Sequence, residues 1–100
     1  MRIDWSRSAR EDLRDIHRYI ARDSPHYARQ FVERVIKAVE RVKEFPESGR
    51  LVPEARPLDV RELLIQEYRV IYKPEPPERV LIVAVVHGRR DLTRKEQQPW

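Results

Sequence analysis

A chain of 100 residues with 21 basic groups, 17 acidic groups and no cysteine makes one small domain, residues 1–100, without a disulfide framework or thiol chemistry. The net charge of +4 is evenly spread, with 11 basic and 8 acidic groups in residues 1–45 and 10 and 9 in residues 46–100. No half is therefore a basic arm, and a nucleic-acid surface would have to be assembled by folding. Seventeen of the basic residues are arginine. The guanidinium fork suits phosphate and carboxylate, although a genome rich in G and C gives the same bias. The first residues, MRIDWSRSAR, have no apolar signal region, and the longest apolar run, Val80 to Val86, is too short to span a bilayer. A cytoplasmic setting fits, and no membrane partner is expected.

In chain order, Met1 to Trp5 alternates Ile3 and Trp5 against Arg2 and Asp4 and reads as a strand. Ser8 with Glu11 fits a capping box, while Ser6 would cap one turn earlier. Ala9, Leu13, Ile16 and Ile20 form one apolar stripe on a helix over about 7–22. Arg10, Arg14, Arg18 and Arg22 recur at steps of four on the other face. With Glu11, Asp12 and Asp15 interleaved, that row reads as a solvated face. Ser24 and Pro25 start a second helix, expected over 25–44. Its face of Ala28, Phe31, Val32, Val35, Ile36, Val39 and Val42 is wide enough for both the first helix and a sheet.

Pro46 ends that helix, and Gly49 permits a positive φ in the turn. Arg50 to Leu58 reads as an irregular loop. Strands are expected at 60–65, 69–73 and 79–87. In the middle one Tyr68, Val70 and Tyr72 share one face, and Arg69, Ile71 and Lys73 the other. Pro74, Pro76 and Pro77 assign Lys73 to Arg79 to the connection. VLIVAVV is apolar throughout, so that strand should be covered on both faces. Residues 93–100 form a polar tail with room for one helical turn. The order is β-α-α-β-β-β. It predicts an α+β fold with a helical hairpin on one face of a mostly antiparallel sheet, whose other face or rim is left for function.

The histidines His17, His26 and His87 lack metal-ligand spacing, and two glycines cannot make a phosphate loop. No metal or cofactor is expected. Ser6, Ser8, Ser24 and Ser48 lie at helix starts or turns with no His-Asp pair, so nucleophilic hydrolysis is not expected either. Arg50, Arg56, Arg61, Arg69, His87, Arg89 and Arg90 remain. They could bind phosphate, or stabilise and protonate an RNA-cleavage transition state. They could equally pair with Glu54, Glu62, Glu67 and Asp91 on the surface.

The segments IDWSRSAREDLRDIHRYI, SPHYARQF, FPESGRLVPE, VRELLIQEYRVIY and VVHGRRDL, spread in order over residues 3–92, resemble the RelE/ParE superfamily of bacterial toxins from type II toxin–antitoxin systems. The resemblance implies the same fold and a cognate antitoxin that wraps the toxin through an apolar, acidic segment. Operator DNA would be contacted only through that antitoxin. RelE-like members cleave mRNA on the ribosome, and ParE-like members poison DNA gyrase. A RelE-like chain would use Arg61, Arg69 and His87 as its catalytic set. The C-terminal tyrosine common in ribonuclease members has no counterpart, because no tyrosine follows Tyr72. The FPESGR, VREL and HGRRDL segments look more like ParE. That reading is preferred, with Arg50, His87, Arg89, Arg90 and Arg94 as target contacts. The resemblance does not assign the antitoxin-binding residues. The alternatives are the ribosome-dependent endoribonuclease and a non-toxic nucleic-acid-binding module.

Overall fold

A computed structural model describes all of residues 1–100. It contains β1 (Arg2–Trp5), α1 (Arg7–Ala21), α2 (Pro25–Glu44), β2 (Arg50–Leu51), β3 (Arg61–Ile65), β4 (Tyr68–Glu75) and β5 (Arg79–His87). Short 3₁₀ turns lie at Pro53–Ala55 and Lys95–Gln97. The five strands form one sheet in the order β1-β5-β4-β3-β2. Only β1 and β5 run parallel: the helical hairpin carries the chain from β1 to β2 at the opposite edge, and β3, β4 and β5 then step back antiparallel until β5 reaches β1.

Ser6, and not Ser8, caps α1. Its Oγ accepts from Ala9 N at 3.0 Å and donates to Val83 O at 3.2 Å, while Ser6 N donates to Ile82 O at 2.9 Å. One serine thus ends the β1 ladder and starts the helix against β5. Six residues on, Asp12 accepts from Val85 N at 2.9 Å. Past Trp5 the edge of β5 has no strand partner, and Ser6 and Asp12 take its free backbone groups instead. Ser24 caps α2 by accepting from Tyr27 N at 3.2 Å, with Pro25 at the first helical position.

Two apolar clusters sandwich the sheet. Ala9, Phe31, Val35, Val39 and Val42 from the helices pack on Val70, Tyr72, Val80, Ile82 and Val85. The second cluster joins Ile71, Val83, Ala84 and Val86 to Val52, Ala55, Val60 and Leu92. A bulge explains why β5 serves both. Ile71 pairs with Ala84 but Tyr72 pairs with Ile82, so Val83 has no opposite number. Val83 and Ala84 then both face away from the helices, and Val85 returns to them.

The expected free sheet face is therefore covered. Residues 52–60 and Leu92 fold over it, and Trp100 packs beside them. Four further expectations change. Arg50–Leu51 is a strand paired with β3, not loop. Pro74 lies within β4, opposite Val80. Beyond Tyr72 strand β3 has ended, so Pro74 sits where β4 is an edge and deprives no β3 partner of a hydrogen bond. Gly49 needs no positive φ, since no glycine has one. It is required for close approach, because a Cβ there would lie 2.5 Å from the Tyr72 hydroxyl. Ile36, assigned to the buried face of α2, is 42% exposed.

Candidate functional site: a cationic rim and an apolar groove

At one end of the sheet the β3–β4 turn, Gln66–Glu67, meets the exit of β5. Gly88 N donates to Glu67 O at 2.7 Å and ties the two together. Between them and the Pro53–Ala55 turn opens a cleft of about 740 Å³. Arg50, Arg69, His87 and Arg89 all reach it.

Arg69 is not free there. On the β4 face that looks away from the helices, its side chain is only 7% exposed. Its Nε donates to Glu62, and its two terminal nitrogens donate to Glu54 at 3.0 and 2.9 Å. Each of the three guanidinium nitrogens donates to a carboxylate. Glu62 is fully buried and also accepts from Arg50 Nε at 2.6 Å. The four side chains alternate in charge: Arg50, Glu62, Arg69, Glu54. The hydrogen bonds from Arg69 hold the Glu54 carboxyl below its usual value, and Glu54 in turn raises Arg69. Register explains the assembly. Arg50 pairs with Glu62 and Glu62 with Ile71, so Arg50, Glu62 and Arg69 project from the same sheet face.

Arg61 is elsewhere. It pairs with Tyr72, whose side chain faces the helices, so Arg61 and Arg69 leave the sheet on opposite sides. Arg61 binds Asp59 at 2.9 Å and the carbonyls of Glu47 and Gly49 at 3.1 and 2.9 Å. It closes the turn after α2. The proposed catalytic set of Arg61, Arg69 and His87 is therefore not brought together. His87 lies at the rim, edge-on to Tyr68 with ring centroids 5.4 Å apart. Its Nδ1 accepts from Arg89 N at 3.1 Å, and its Nε2 lies 3.7 Å from Glu67. Arg89, Arg90 and Arg94 are exposed on the segment that follows, with Arg90 reaching Gln97 at 3.4 Å.

The sequence reading left pairing with Glu54 and Glu62 open but placed it on the surface; burial of Glu62 and Arg69 is what it did not foresee. The signal was present in β3: Glu62 alternates with Leu63 on a strand whose neighbour carries Arg69, and a buried guanidinium requires a carboxylate. A second surface lies where the helices meet the sheet. Beside β1 a shallow groove of about 880 Å³ exposes Trp5, Leu13, Val32 and Ile36, with Arg10 and Arg14 on its border. The free edge of β1 runs along it, since β1 pairs only with β5.

No group of three or more histidine, aspartate or glutamate side chains is placed to hold a metal ion. No helix is long and apolar enough to cross a membrane.

Comparison with known proteins places these features in a family. Residues 3–92 match the family described as the ParE toxin of the type II toxin–antitoxin system parDE. The toxin candidate Y4kP of Sinorhizobium fredii is 33% identical over 89 residues, covering 89% of this chain and 90% of its own length. A chain from the chromosomal ParDE toxin–antitoxin system of P. aeruginosa has the same fold, with a TM-score of 0.70. At 21% identity, that match covers 87% of this chain and 95% of the other. A small sheet under a helical hairpin, read together with a family match over 90 of its 100 residues (3–92), establishes that the chain belongs to the ParE toxin family of type II toxin–antitoxin systems.

Proposed function

We propose that the chain is a toxin that acts by binding DNA gyrase and trapping it on cleaved DNA, and that a cognate antitoxin holds it inactive. One observation carries the choice of a binding inhibitor over a ribonuclease. The arginine best placed in sequence for phosphate chemistry, Arg69, has all three of its guanidinium nitrogens bonded to Glu54 and Glu62, and its side chain is only 7% exposed. A transition-state clamp needs donors free to meet developing charge. Arg61 cannot supply them to the same cleft from the opposite face of the sheet. A gyrase poison needs no general acid or base. Its contacts would come from Arg50, His87, Arg89, Arg90 and Arg94 at the rim, and it would work in the cytoplasm, where gyrase and plasmid meet.

The groove beside β1 is the natural seat of the antitoxin. Its floor of Trp5, Leu13, Val32 and Ile36 would bury apolar side chains, and Arg10 and Arg14 would steer an acidic segment onto it. Pulse labelling after induced expression tests the target. DNA synthesis should stop before protein synthesis, and co-expression of the antitoxin encoded by the adjoining gene should restore growth. Protein synthesis stopping first would favour the ribosome as target.

A further inference from the structure

We propose that the rim cleft docks a polypeptide segment of the target, anchored on Leu64 and read by the Gln66 carboxamide, and is not a cradle for phosphate. The proposal rests on the gyrase reading and names the part of the toxin that touches that enzyme. The occupant is a loop that offers an aliphatic side chain, backbone amide groups and at most one carboxylate.

The β3–β4 turn is the first observation. Only Gln66 and Glu67 separate the strands, and Gln66 has φ 55, the one positive φ at a non-glycine residue. Two-residue hairpin turns favour Gly, Asn or Asp at such a position, because a longer side chain is strained there. The turn does not depend on Gln66 for its shape. Gly88 N grips Glu67 O from outside at 2.7 Å, and even a Cβ on Gly88 would come within 3.2 Å of that oxygen. The Gln66 side chain is exposed, outside the hydrogen bonds that tie down Arg50, Arg61 and Arg69. Strain held at an exposed, unengaged side chain on a cleft mouth points to a contact made outside the chain.

Leu64 is the second observation. It stands opposite Arg69 on β3, lines the same cleft as Gln66, and is 58% exposed. The ion pairs beneath it fix its strand, so it forms a rigid apolar knob at the mouth.

Charge decides between protein and nucleic acid. The cleft has the guanidiniums of Arg50, Arg69 and Arg89 and the carboxylates of Glu54 and Glu67. Glu62 lies beneath and binds both Arg50 and Arg69. Three cations against three anions make the cleft itself nearly neutral; Arg90 and Arg94 lie on the rim outside its lining. A surface that tracks phosphates has a clear excess of cations, whereas a neutral cleft with an apolar knob and a free amide suits a protein loop.

The test compares purified wild-type chain with Leu64→Ser and Gln66→Gly in inhibition of purified DNA gyrase, alongside the thermal midpoint of each. Leu64→Ser should keep its midpoint and lose inhibition by about tenfold or more. Gln66→Gly should melt at the same or higher temperature, because the strain is relieved, and still inhibit less. Wild-type chain should bind gyrase with no DNA present, which a cradle for phosphate would not do. Variants that inhibit like wild type, or a wild-type chain that binds gyrase only when DNA is present, would overturn the docking site alone. A wild-type chain that leaves gyrase untouched would overturn the gyrase reading itself, and the docking site with it.

Discussion

Arg69 meets Glu54 through both of its terminal nitrogens, at 2.9 and 3.0 Å, and the pair pins the Pro53–Ala55 turn onto the sheet. This contact closes the face away from the helices and makes Arg69 a pillar of the fold. Arg69→Ala would leave the fully buried Glu62 with only Arg50 as partner. Breaking one side of a buried pair costs about 3–5 kcal/mol. Urea unfolding should register that loss, and Arg69→Lys should recover little of it, because an ammonium cannot span both glutamates. An unchanged urea midpoint in Arg69→Ala would contradict the structural role. Any loss of toxicity in that variant has to be read against its folded fraction.

Acid should weaken this closure. The folded-state value of Glu54 lies below the ordinary 4.5 because Arg69 donates to it. Its contribution is therefore present above about 4.5 and disappears as pH falls through the lowered folded value. Glu54→Gln should be less stable than wild type at neutral pH and should lose less stability on acidification. Thermal melts from pH 7 down to pH 3 would decide it; parallel curves would show that Glu54 is not a source of the acid limb.

Asp12 carries the opposite sign. Burial pushes its carboxyl above 3.8, against the lowering hydrogen bond from Val85 N. Its stabilising contribution is thus complete below the unfolded value and fades as pH rises through the raised folded one. Asp12→Asn keeps an acceptor for Val85 N without the charge, so at neutral pH it should match or exceed wild-type stability. Asp12→Ala leaves that N–H open and should cost about 1 kcal/mol or more. A less stable Asp12→Asn protein would mean that the charge itself is needed.

Besides Arg61, the Tyr72 hydroxyl holds the turn after α2. Tyr72 Oη donates to Pro46 O at 2.9 Å and accepts from Gly49 N at 2.8 Å. Tyr72→Phe strands the buried Gly49 N–H at a cost of about 1–3 kcal/mol. Gly49→Ala drives a methyl into the same hydroxyl and the Glu62 carbonyl, at 2.5 and 2.8 Å. It should cost at least as much. Equilibrium unfolding of the two variants checks both, and a Gly49→Ala protein as stable as wild type would refute the packing argument.

Much of this fold could be read along the chain because its signals are local. Ser24-Pro25 and the Ala28 to Val42 stripe mark α2, and the alternation around Tyr72 assigns the faces of β4 correctly. What escaped depends on partners distant in sequence. Arg50–Leu51 is a strand only because Glu62 and Arg61 lie opposite it. The covered sheet face needs Val52, Val60 and Leu92 to converge from separate segments. The rim assembled Arg50, Arg69, His87 and Arg89 as a group, but only pairing register could put Arg61 on the other side. Pairing Arg69 with Glu54 and Glu62 was one open reading of the sequence, and burial decides it.

The claim that the chain works by binding gyrase, without cutting RNA, is tested most directly by giving one purified sample both substrates. Incubated with gyrase, ATP and plasmid, it should accumulate cleaved DNA in proportion to toxin. In a translating extract it should leave mRNA ends unchanged. Codon-phased mRNA ends that vanish with His87→Ala, together with gyrase that supercoils normally in its presence, would contradict the account.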